Sequence, residues 1–113
     1  MPVNLIQDSV SIAANAVNAN VVSGNAHEFV EEDSLLQFGL AGSATGLRVD
    51  ISVGNQAAGL NIAVNLQNRF PVFPDDFPLL DVPALAGSRV VIQGRNTTGG
   101  ALTLFFAVKI VPV

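Results

Sequence analysis

The chain has 113 residues, half of them hydrophobic and only 12 % charged, where a soluble domain typically carries about 25 % charged residues; the missing polarity points to surface buried against other chains. It has no Cys, Trp or Tyr and a single His, which rules out disulfides and thiolate metal sites and removes most side chains from which catalytic sites are built. Net charge is −4, and the first basic residue, Arg48, follows Asp8, Glu28, Glu31, Glu32 and Asp33, so the phosphate-neutralising footprint of a nucleic-acid binder is missing.

In chain order, Val10, Ile12 and Ala14 alternate, as do Val17, Ala19 and Val21. The phase slips between the two runs as a β-bulge would require. A helix through Val10, Ala13, Ala14, Val17 and Val21 also fits, but Asn15, Asn18 and Asn20 disfavour it, and strand or extended arm is the preferred reading of residues 1–33. His27 with Glu28, Glu31, Glu32 and Asp33 is the one cluster that resembles a reactive constellation. It would need a helix to converge on a metal, and it reads instead as an acidic turn with Glu31, Glu32 and Asp33 in water.

Three runs then show the period-2 alternation of half-buried strands: Leu36–Leu40, Leu47–Val53 and Leu60–Leu66. The small, Gly-bracketed segments 41–46 and 54–59 suit hairpin or short loop connections between them. Residues 70–83 contain Pro71, Pro74, Pro78 and Pro83, which forbid helix or sheet interior there. Phe70, Phe73 and Phe77 in this loop either cap the open end of the fold or anchor a neighbouring subunit. Asp75, Asp76 and Asp81 match no calcium-loop spacing and read as turn formers.

Near the end come a strand over 89–93, a turn at Asn96–Gly100 and a long apolar strand from Leu102 to Val111. Leu102, Leu104, Phe106, Val108 and Ile110 lie on one face of that strand, and Phe105, Ala107 and Val111 on the other. A strand apolar on both faces is central in the packing or covered by a neighbour. Asn96-Thr97-Thr98 also satisfies the N-glycosylation pattern.

Regular strand spacing predicts a single all-β domain over residues 1–113, an antiparallel β-sandwich. Residues 85–104, with a strand after a small-residue turn, an Asn-Thr-Thr-Gly-Gly turn and a long apolar last strand, resemble the closing hairpin of small jelly-roll virion proteins of bacteriophages. The resemblance implies a jelly-roll-like sandwich and a capsid vertex, minor capsid or decoration protein, located in the virion. It departs from capsid proteins with basic RNA-binding arms, because the N-terminal third is acidic.

The expected function is therefore a non-enzymatic structural subunit of a homo-oligomer, a trimer or pentamer, with self and possibly other capsid proteins as partners. Phe70, Phe73, Phe77, Phe105 and Val111 are the candidate interface residues. No catalytic residue, metal or cofactor is expected. No apolar run reaches the roughly 20 residues needed to cross a bilayer, and the start lacks a secretory pattern, so a soluble chain without a membrane partner is expected. A carbohydrate- or other ligand-binding module is the alternative, weakened by the absence of the Trp and Tyr that stack on sugars.

Overall fold

In the computed structural model, residues 4–24, 28–54, 56–66 and 78–113 are described. They form nine strands and no helix: β1 (Asn4–Ile12), β2 (Val17–Asn18), β3 (Ser34–Gly42), β4 (Leu47–Val53), β5 (Gln56–Ala63), β6 (Asn65–Leu66), β7 (Pro78–Ala84), β8 (Val90–Asn96) and β9 (Leu102–Pro112). One sheet runs β1-β9-β3-β6, with β7 also paired to β3; the other runs β2-β8-β4-β5.

The pairing follows a simple rule. The innermost pair is β4 with β5, then β3 with β7, β2 with β8, and β1 with β9, all antiparallel. This is one long hairpin rolled so that successive pairs fall in alternate sheets, which makes the fold an all-β sandwich with jelly-roll connectivity. The alternating patterns cause the layering. In β4 every second residue, from Leu47 through Val49 and Ile51 to Val53, is buried, and β8 buries Val90, Ile92, Gly94 and Asn96 in the same phase. From the facing sheet, Leu36, Phe38, Leu40, Leu104, Phe106 and Val108 fill the space between the layers, each no more than 2 % exposed. Burial of one such side chain stabilises by about 1.5–3 kcal/mol. Gly94 falls in the inward phase because the sheets come close there: a Cβ would stand 2.7 Å from Ile12 Cδ1 and 3.3 Å from Leu104 Cδ2.

Several expectations change. The phase slip before Val17 is not a bulge within one strand: the chain leaves the first sheet after Ile12, turns through Asn15 at φ 55° and enters the second sheet at β2. The run Leu60–Leu66 is likewise not one strand, since β5 ends at Ala63 and β6 pairs in parallel with Ala41 and Gly42 of the opposite sheet. Residues 89–96 and 102–112 do not form a hairpin with each other. β8 pairs with β4 and β2, and β9 with β3 and β1, so the turn at Asn96–Gly100 is an arch between sheets. Part of the proline-rich segment is also a strand, β7, which tolerates Pro78 and Pro83 because among the described residues it pairs on one side only.

Candidate functional site

Strand ends meet at one pole of the sandwich, where β3 and β8 begin and β7 and β9 finish. The segment from Glu28 to Asp33 is laid across this pole, its first residues antiparallel to the run into β8. Phe29 bridges Arg89, Val90 N–H donates to Glu28 O at 2.7 Å, Val30 N–H to Ser88 O at 2.9 Å, and Gly87 N–H to Val30 O at 2.7 Å. Gly87, at φ 86°, makes the turn that brings β7 round to β8 possible. Asp33 completes the strap: its Oδ1 accepts Ala86 N–H and its carbonyl accepts Val113 N–H.

The acidic cluster is thus largely structural. Glu28 is buried and accepts Gly24 N–H at 2.9 Å and Arg89 Nε at 2.6 Å. The Gly24 amide first, and then the Arg89 guanidinium, hold its carboxyl below the usual carboxylate value. Glu31 and Asp33 are exposed as expected, but Glu32 is half-buried, with Oε1 shielded and without a hydrogen-bond partner among the described residues. His27, Asp75 and Asp76 lie outside the described residues. Among those described, no three His, Cys, Asp or Glu side chains come together to hold a metal ion.

Beside the strap a cleft of about 780 Å³ opens, walled by Val53, Pro83, Ala84, Leu85 and Val91 with Gln56, Ser88 and Arg89 as its polar groups. Three of the five large hydrophobic residues that stand exposed in the described chain belong to this pole: Phe29 at 55 %, Leu85 at 72 % and Val113 at 87 %. Cross-strand register adds a row on the outer face of the first sheet, Val111 opposite Leu35 and Leu35 opposite Pro83. Val111 and Leu35 are half-buried and Pro83 exposed. Two of the anchors are thereby placed. Val111 lies in this apolar row, whereas Phe105, on the same face but six residues away, sits about 20 Å along the strand. There it faces Ala41 and keeps 9 % of its surface, so the single chain already covers most of it. Phe70, Phe73 and Phe77 lie outside the described residues.

A second polar group occupies the outer face of the other sheet. Asp50 accepts Asn61 N–H at 2.6 Å and pairs with Arg95, whose other nitrogen donates to Asn61 Oδ1 at 2.9 Å. The Asn61 amide and then Arg95 hold the Asp50 carboxyl below its usual value. Asn61 adopts φ 54° within an irregular stretch of the β4–β5 pairing, and the adjacent Leu60 is turned out to 68 % exposure. Alternation alone places Leu60 against the core; a bulge that shifts the phase is invisible to it.

The sequon Asn96 is 3 % exposed and fully engaged. Its Nδ2 donates to Ile12 O and Gly100 O, and its Oδ1 accepts Thr98 N–H and Thr98 Oγ–H. It ties the arch to β1 and offers no free amide for modification. Among the described residues no helix is long and apolar enough to cross a membrane. Set against known protein families, curated proteins and solved structures, the chain matches none of them.

Proposed function

We propose that the chain is a non-enzymatic structural subunit of a homo-oligomer, a small virion protein of the vertex, minor capsid or decoration type. The observation that carries this reading is the apolar pole, where Phe29, Leu85 and Val113 stand in water beside the Val111–Leu35–Pro83 row. A surface so poor in charge lowers its free energy by covering such a patch, and rigid strand ends make a geometrically fixed contact. The rolled-hairpin connectivity is also that of many capsid subunits. Native mass at micromolar concentration tests the assembly: a closed trimer or pentamer is expected, and Leu85→Asp with Phe29→Asp should release folded monomers. A wild-type chain that is monomeric throughout would end this reading.

The cleft supports the alternative, a ligand-binding module. Arg89 is held through Nε by Glu28 while its side chain stays 48 % exposed at the cleft, so its terminal nitrogens are available to an oxygen-rich ligand. Chemical-shift changes confined to Gln56, Ser88 and Arg89 on adding oligosaccharides, in a monomeric chain, would favour this reading over assembly.

A further inference from the structure

An open sandwich must protect its sheet edges, because unpaired strand backbone is a template for another chain. Among the described residues the sheets have four edges, and three carry a recognised safeguard: β2 is two residues long, β5 is broken by register shifts, and the edge beyond β3 is divided between the two-residue β6 and β7, which contains Pro78 and Pro83. β1 has none of these: its nine residues pair with β9 in unbroken register, and among the described residues no strand covers its other side.

What β1 has at its centre is Asp8. Its register partner is Phe106, 2 % exposed in the core, and Ile6 and Ile12 in the same phase are both buried at 3 %. Asp8 is thus a charge in the core-facing phase, and it is exposed. Among the described residues it makes no ion pair; its Oδ1 accepts the backbone N–H of the next residue, Ser9, at 2.8 Å. That amide is therefore occupied by the chain itself. When β1 is laid antiparallel on a second copy of itself so that Asn4 meets Ile12, Asp8 falls opposite Asp8. Like charges directly opposite across a strand pair are destabilising.

We propose that Asp8 is the residue that keeps the free edge of β1 from adding the β1 of a second copy, both by occupying the Ser9 amide and by opposing its own charge. Without it the two copies would join their first sheets edge to edge across a two-fold axis. This holds whether or not the apolar pole assembles the chain, because the reading is relative to the wild-type mass.

The test compares wild type, Asp8→Val and Asp8→Lys by native mass and by amide exchange, with far-UV circular dichroism as the check of folding. Asp8→Val should double the wild-type mass at tens of micromolar and slow exchange at the Ser9 amide. Asp8→Lys keeps a like charge at the centre and should retain the wild-type mass. A folded Asp8→Val chain of unchanged mass would overturn the proposal, and doubling in both variants would overturn the role given to charge.

Discussion

Asn96 shows how one polar side chain can hold two sheets in relation. Its four hydrogen bonds span β1, the arch and the start of the approach to β9. Because it is buried, truncation leaves carbonyls and an amide without partners, each at a cost of about 1–3 kcal/mol. Asn96→Ala should therefore lower the unfolding free energy, read from denaturant unfolding, by at least about 1–3 kcal/mol. Asn96→Asp should lower it further: a carboxylate still accepts from Thr98 but turns lone pairs on Ile12 O and Gly100 O. An Asp variant as stable as wild type would contradict this account. Asn20 has a similar role, with Nδ2 donating to Val90 O and Oδ1 accepting from Val22 and Ile92 amides. The sequence marked Asn20 only as disfavouring a helix and Asn96 only as part of a turn and a sequon, because the contacts that tie them to other strands reach 70 or more residues along the chain.

Among the elements, β9 carries the most packing. It lies between β1 and β3, and Leu104, Phe106 and Val108 are at most 2 % exposed. Leu104→Ala should destabilise the fold by roughly 2–5 kcal/mol through lost burial and the cavity left behind, read from equilibrium unfolding. Val111→Ala, half-buried near the strand end, should cost much less. Apolar alternation located this strand and its inward face. It did not reveal that residues 90–96 and 102–112 belong to different sheets, because a turn composition is the same whether the chain doubles back in one sheet or arches between two.

For the molecule as a whole, acid sensitivity follows from two carboxylates tied to backbone amides and arginines at separate places, Glu28 at the strap and Asp50 on the second sheet. Each has a folded pKa below its unfolded value, so below the ordinary carboxylate range, about 4, the unfolded chain binds more protons. Stability from these groups is complete above that range and is lost as pH falls through the lower folded values. The unfolding free energy should fall on acidification from about pH 5, and Glu28→Gln combined with Asp50→Asn should flatten that dependence. A wild-type profile as flat as that of the double variant would remove both contacts as contributors.

Fold class was legible because it depends on local periodicity: a period of two in residues 36–40, 47–53 and 102–111 builds a half-buried strand wherever it sits. The lack of charge was equally plain, since composition does not depend on arrangement. Tertiary structure alone decided which sheet each strand joined, that Glu28 answers Arg89 across 61 residues, and that Leu60 turns outward. It also decided that Phe29, Leu85 and Val113 gather at one pole. These are long-range facts, fixed by the way a rolled hairpin brings distant strands together, and no window along the chain contains them.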